Sequence, residues 1–382
     1  MKAGEFFASS DPRYRCFSPH PLPPDIVYSP AVLHRCEAVA HRLGMVQMGK
    51  QMLPNAEVLT YASFRAEAIA SSTIEDTVAS PDELALFESG DVPHRNQVRE
   101  VSNYRIALEE GVQAVRERTI SPALIRELHA TLMRDARGRD EAGQFKTQQN
   151  FIGRRMGDSI IDAIFVPPSP QETPALMRDL CDYIESTPDE PRLIQVALTH
   201  FQFETIHPFG DGNGRVGRLL ILLQLIRTGL LDDPLVYPSA YFERTRDEYY
   251  SRLQAVRVDG DWDGWISYFL DALDHQAREA VTLASLLLKL QGRLRDQARS
   301  FTQANATLRA LEAYFARPAM SITTLAETLG VSYNTASTAV ATLESHGVLR
   351  PLGDAKRGRV YLCGPVYDLL FRGPEAVRES LG

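Results

Sequence analysis

His207-Pro208-Phe209-Gly210-Asp211-Gly212-Asn213-Gly214-Arg215-Val216-Gly217-Arg218 places an imidazole, a carboxylate, a glycine-rich turn and two guanidiniums on twelve consecutive residues. A long apolar helical pattern, Leu219 to Ile226, follows at once. Gly212 and Gly214 let backbone N–H groups approach a phosphate. A helix starting near Asn213 aims the positive end of its dipole at the same point. Arg215 and Arg218, three apart, are expected on one helix face, their planar forks matched to phosphate oxygens. Asp211 offers hard oxygen to a magnesium ion. His207 can accept a proton near neutral pH. The chemistry this suits is transfer of a nucleotide's phosphoryl group.

The run resembles the active-site loop of the Fic family, His-Pro-Phe-x-(Asp or Glu)-Gly-Asn-Gly-Arg-x-x-Arg, and matches every specified position. The resemblance implies an all-helical core that transfers AMP from ATP to a Ser, Thr or Tyr hydroxyl of a target protein, or of the chain itself. His207 would be the base, Asp211 the magnesium ligand, and residues 212–218 (Gly212, Asn213, Gly214, Arg215, Val216, Gly217, Arg218) the ATP cradle. Ser71-Ser72-Thr73-Ile74-Glu75 resembles the family's inhibitory helix, in which the glutamate pairs with the last arginine of the loop, here Arg218. Asp76 departs from the Gly or Asn usual after that glutamate. A flap over 145–168 would seat an extended target segment, with Ile152 and Gly153 covering the nucleotide. Tyr249 would contact adenine, Tyr241 being a second aromatic candidate, and Arg257 stands where some members place asparagine. Other outcomes stay open: another nucleotide donor, removal of AMP, or an ATP-sensing transcriptional regulator.

The elements that must position these residues read as mainly α. Helical periodicity covers 31–53, 56–71 or beyond, 98–116, 121–132, 172–186, 191–206, 214–229, 243–257 and 262–290. Residues 1–30, rich in proline, read as an extended arm. Gly143, Gly153 and Gly157 followed by the β-like Ile160–Val166 read as the flap hairpin. A polar helical stretch, 286–302, reads as a connector. Helices over 308–315, 322–329 and 333–346 with strands near 348–349 and 360–362 resemble a winged helix-turn-helix. We therefore expect an N-terminal helical region (1–94), a catalytic core (95–290), and a connector with a winged-helix domain (291–382).

The winged-helix region carries nearly balanced charge, though Lys356, Arg357 and Arg359 cluster in its wing. Ser332, Tyr333, Asn334, Thr335 and Ser337 could meet bases or phosphates. DNA binding, target docking and homodimerisation are the alternatives for it. The chain has 382 residues, 44% hydrophobic and 24% charged, with net charge −8. That excludes a wholesale nucleic-acid coat. No apolar run is long enough to span a bilayer, and the N-terminus lacks a signal-peptide pattern. Cys16, Cys36, Cys181 and Cys363 are scattered, as expected for a reduced, cytoplasmic protein without a zinc site. No P-loop, kinase, Gly-x-Ser-x-Gly or His-Glu-x-x-His motif competes with the 207–218 run.

Overall fold

The computed structural model describes residues 2–8, 11–90, 96–135, 141–153, 158–353 and 358–377. A short antiparallel hairpin comes first, β1 (Gly4–Ala8) and β2 (Arg15–Pro19). Helices follow: α1 (Pro30–Met52), α2 (Glu57–Ile74), α3 (Pro81–Glu88), α4 (Asn96–Glu117), α5 (Pro122–Leu132), α6 (Thr173–Glu185), α7 (Arg192–Ile206) and α8 (Asn213–Arg227). After these come α9 (Ser239–Arg244), α10 (Arg246–Asp259) and the long α11 (Trp262–Phe301).

α8 is the centre of the fold. All its residues from Arg215 to Ile226 are buried, as befits a helix that is apolar on every side. α2, α4, α5 and α7 enclose it. α7 is likewise buried from Leu193 to Ile206, and Trp265 of α11 donates its indole N–H to Ala197 O at 2.9 Å. Two buried helices joined by a six-residue loop therefore hold residues 207–212 between them. Gly111 of α4 permits close approach to α8: a Cβ there would lie 2.9 Å from Leu223 Cδ1.

The last part of the chain adds α12 (Asn305–Ala316), β3 (Ala319–Ser321), α13 (Ile322–Leu329), α14 (Tyr333–Ser345), β4 (Leu349–Leu352), β5 (Val360–Cys363) and α15 (Gly364–Arg372). The strands form an antiparallel sheet in the order β3-β5-β4. Gly330, at φ +64°, ends α13, and Ser332 caps α14 by accepting from Thr335 N. The four cysteines are buried and unpaired. No helix among the described residues is long and apolar enough to cross a membrane.

Several expectations need correction. The N-terminal segment is not simply an extended arm. It forms the β1–β2 hairpin, with Phe17 fully buried against Phe6 and Phe165. Among its described residues the flap segment shows no ladder: its legs meet at one bridge, Ile152 to Phe165, and Ile160–Asp162 is a 3-10 turn. Ser159 Oγ donates to Asp162 Oδ2 at 2.6 Å; such local bonds compete with a ladder. Gly157 lies outside the described residues, as do Lys356 and Arg357 of the wing. The helix expected over 243–257 is two, parted at Thr245, whose hydroxyl bonds back to Tyr241 O. The connector is no separate piece, since α11 runs unbroken through 286–301. It is tied to α12 by Arg295 and Glu312. α3 was not expected, although Ser80-Pro81 and Glu83 spell a capping box.

If the hairpin is integral to the core, Phe17→Ala should lower stability by about 3–5 kcal/mol, read from the shift in denaturant midpoint. A loss under about 1 kcal/mol would mark it as a loosely attached arm.

Candidate active site

α7 ends at His207, a residue in the left-handed region (φ +48°, ψ +62°). The chain reverses there because Phe209 is drawn into the core, fully buried and stacked on His129 at 3.8 Å. Asn213 ties the loop across its mouth: its Oδ1 accepts from Phe209 N and its Nδ2 donates to Phe209 O, both at 2.8 Å. Asp211 Oδ1 accepts from Gly212 N at 2.6 Å. Gly212 (φ +76°) then turns the chain into α8, a conformation that other residues resist.

Arg218 is 1% exposed. Its Nε donates to Ser71 Oγ at 2.9 Å and its Nη2 to Ser71 O at 2.8 Å and Glu75 Oε1 at 2.9 Å. Burial pulls the guanidinium's pKa down, but the anionic neighbours led by Glu75 outweigh it and hold the pKa well above the ordinary value. Glu75 is the cap residue of α2, so its carboxylate leaves the helix end toward α8. It lies over Gly214: a Cβ there would collide with Glu75 Oε1 and sit 2.8 Å from Arg218 Nη1. Glu75 thus occupies the anion-binding end of α8.

Asp76, the departure from the family pattern, adopts φ +58°, a conformation that Asp and Asn tolerate better than most residues. It is held by Arg246 of α10 at 3.0 Å. The turn after Glu75 therefore forms without glycine.

The two arginines do not converge as expected. Arg215 turns to Glu100 of α4 at 3.1 Å and lies 3.7 Å from Asp211 Oδ1, whereas Arg218 faces α2. Asp211 is exposed at the loop surface. The Val216 side chain is 1% exposed in the core, and a Cβ on Gly217 would press on Phe203 and Glu204 of α7, so neither offers a side chain to a ligand.

Tyr249 is a core residue, 1% exposed, its hydroxyl bonded to His200 Nε2 at 2.8 Å and its ring stacked on Phe242. Tyr250 is instead 42% exposed. It faces the Glu75–Arg218 pair and Arg246, and burial followed by Glu75's charge pushes its phenol up to about 12. Tyr241 turns away toward Tyr268 and His275 of α11. Arg257 is buried, donating to Glu204 O and Thr205 Oγ1 and lying 4.0 Å over the Phe165 ring. Ile152 and Gly153 sit at the base of the flap segment, where Ile152 meets Phe165. Lys146 and Asn150, just before them, contact the 206–209 loop directly. Nothing in a polar run such as Lys146-Thr147-Gln148-Gln149-Asn150 distinguishes such residues from solvated ones.

Three imidazoles around the loop are neutral. Burial, then the charges of Lys146 and Arg257, brings His207 down to about 3. Burial, then Arg218, does the same for His200. Burial lowers His129 to about 4. His129 Nδ1 accepts from Gly143 N at 2.9 Å, so its Nε2–H donates to Asp211 O at 3.1 Å. Burial also pushes the carboxyls of Glu67 and Glu204 up to about 7.

Comparison with known proteins now identifies the scaffold. The Fic/DOC family pattern matches residues 119–225, and the family's N-terminal pattern matches residues 33–113. The chain belongs to the Fic/DOC family. A Fic family protein from Desulfovibrio desulfuricans G20 superposes with a TM-score of 0.57 at 20% identity, over 89% of this chain and 98% of that one. A segment of Fic-1 from Caenorhabditis elegans gives 0.51 at 22% identity, over 66% and 74%. These likenesses are of fold. Among curated relatives, protein adenylyltransferase fic-1 of C. elegans is 33% identical over 130 residues, 34% of this chain and 22% of that protein. A probable protein adenylyltransferase of Aquifex aeolicus (strain VF5) is 31% identical over 205 residues, 52% of this chain and 56% of that protein. The chain thus spans from about a fifth to just over half of these relatives' length.

NMR of ring-labelled histidine should show His129, His200 and His207 neutral down to about pH 5; any of them titrating near 6.5 in the folded protein would contradict the burial described. Unfolding returns them to about 6.5. Below that pH the unfolded chain therefore binds more protons, and stability falls. Glu67 and Glu204 act oppositely, relieving strain as the pH drops from about 7 toward 4.5.

Proposed function

We propose that the chain is a protein adenylyltransferase of the N-terminal-inhibited type, moving AMP from ATP to a Ser, Thr or Tyr hydroxyl of a target protein. The observation that carries this reading is the His207 imidazole at the end of α7 beside the N-terminal turn of α8, with Arg218 behind it. The names of the C. elegans and A. aeolicus relatives point the same way.

In this mechanism the ATP phosphates lie at the start of α8, against the backbone of Gly212, Asn213 and Gly214, with the Arg218 guanidinium adding charge. His207 takes the proton from the acceptor hydroxyl, whose oxygen bonds to the α-phosphorus as the bond to pyrophosphate breaks. Asp211 fits a magnesium ion, which asks for one or two carboxylates and shares phosphate oxygens; its exposed carboxylate stands at the loop, and the ion would neutralise phosphate charge. Lowering the basicity of His207 keeps it free to accept a proton but weakens its pull. Catalysis then rests mainly on positioning and charge neutralisation.

Glu75 opposes this by occupying the site where a terminal phosphate would meet Arg218. Two anions compete for one guanidinium. The two hydrogen bonds to Ser71 hold Arg218 in place when the carboxylate leaves. In these terms residues 1–94 supply the gate and 95–290 the site. We read α12 to β5 as a winged helix, whose exposed Ser332, Tyr333, Asn334 and Thr335 at the start of α14 suit contact with DNA or with the target.

Glu75→Gly should raise AMP transfer at least about tenfold, measured with α-labelled ATP and cell lysate. An unchanged rate would remove the inhibitory role. In that background His207→Ala should cost about 10²–10⁴-fold while ATP affinity stays within a few-fold; retained turnover would contradict the base assignment. For the C-terminal region, a full-length chain that fails to shift DNA at moderate salt, while Arg359→Ala lowers labelling of the target, would decide for docking over DNA binding.

A further inference from the structure

Besides Asn213, one further segment holds the backbone of the 206–209 loop. The loop's four consecutive carbonyls all accept hydrogen bonds from the segment leading into the flap. Ile206 O accepts from Lys146 Nζ at 3.1 Å, His207 O from Asn150 Nδ2 at 2.9 Å, Pro208 O from Lys146 N at 2.8 Å, and Phe209 O from Asn150 Nδ2 at 2.8 Å. Lys146 Nζ also donates to Asn150 Oδ1 at 2.9 Å, which fixes the amide's orientation. His207 itself sits in the left-handed region, which a non-glycine residue keeps only where its surroundings over-determine it.

Lys146 is a costly choice for a tether. It is 4% exposed and has no carboxylate within ion-pair distance among the described residues. An unpaired buried ammonium is unfavourable, and burial brings it down to about 7. Stability alone would favour an apolar side chain here.

The same segment is joined to the flap. Gln149 Nε2 donates to Asn150 O and to Pro167 O, both at 3.1 Å, so it bridges the two legs. Two residues beyond Asn150, Ile152 pairs with Phe165.

We propose that Lys146 and Asn150 are positioning residues that set the orientation of His207 and couple it to the flap segment on which the target would dock. Neither touches the reacting atoms; each acts through the backbone of the base. This rests on the reading of His207 as the base. It adds that the placement of the base depends on the flap's root. A target strand that steadies the flap would steady His207 with it, so docking and proton removal are linked through two side chains.

The test uses full-length protein carrying Glu75→Gly, α-labelled ATP and cell lysate. Asn150→Ala and Lys146→Met remove the side-chain donors and leave the backbone bond from Lys146 N to Pro208 O; Lys146→Arg keeps a side-chain donor. The donor-less variants should lose about 10²-fold of the maximal rate, with the ATP concentration at half-maximal rate within about twofold, and Lys146→Arg should stay within a few-fold of the parent. Undiminished maximal rates in the donor-less variants, or a loss confined to ATP half-saturation, would overturn the proposal. Ring-labelled histidine spectra give a readout independent of turnover. The His207 signal should shift in Asn150→Ala, or in Asn150→Asp if the alanine variant does not fold, while that of His200 stays in place. An unmoved His207 signal would also overturn it. If His207→Ala retains transfer, the base reading fails instead, and the spectral result still decides whether Asn150 positions the ring.

Discussion

A guanidinium buried in the first turns of a buried helix must have an anion. Arg218 is that group. α8 cannot tilt it toward water, because α2, α4, α5 and α7 enclose the helix. The charge has to be met where it stands, from a neighbouring element or from a ligand. Much of the architecture around the loop follows from this. α2 crosses α8 so that Ser71 and Glu75, one turn apart, both face the guanidinium. The end of α2 is pinned by Asp76 on Arg246. Glu67 and Glu204, near the same charge but without a direct bond to it, are driven toward their protonated forms.

The openness of the pair matters as much as its existence. The Arg218 side chain is 1% exposed, but that of Glu75 is 37% exposed. One partner is fixed in the interior and the other stands at a doorway. A fully buried pair would be costly to open, because removing one partner strands the other's charge. A half-open pair with a second set of hydrogen bonds behind the cation can exchange its anion. That asymmetry is what a competition between a side-chain carboxylate and a phosphate requires.

Around this centre the remaining elements act as supports. The N-terminal hairpin packs Phe17 on Phe165, Arg257 also lies over that ring, and the flap's root holds the loop carbonyls. The backbone at His207 is therefore met by residues far from it in sequence, Lys146 and Asn150. The C-terminal region is joined to this body by the unbroken α11 and by α15, which returns to α11 and α2.

Local patterns determined the family, the helical class, the start of α8, the Phe209 anchor and the Glu75–Arg218 pairing. Each depends on residue types at fixed short spacing, or on a motif carried whole. Tertiary packing decided the rest. It placed the side chains of Val216 and Tyr249 in the core and Gly217 against α7, because a residue's facing is set by which helix lies against it. It sent Arg215 to Glu100 and Arg218 to α2, since only the positions of α4 and α2 separate two guanidiniums three residues apart. Among the flap's described residues it left one bridge, Ile152 to Phe165, beside a Ser–Asp turn. It gave Lys146 and Asn150 their partners, which lie about sixty residues on in the chain. Sequence periodicity carries information over one or two turns of helix, whereas hydrogen bonds to a loop's backbone exist only once distant segments meet.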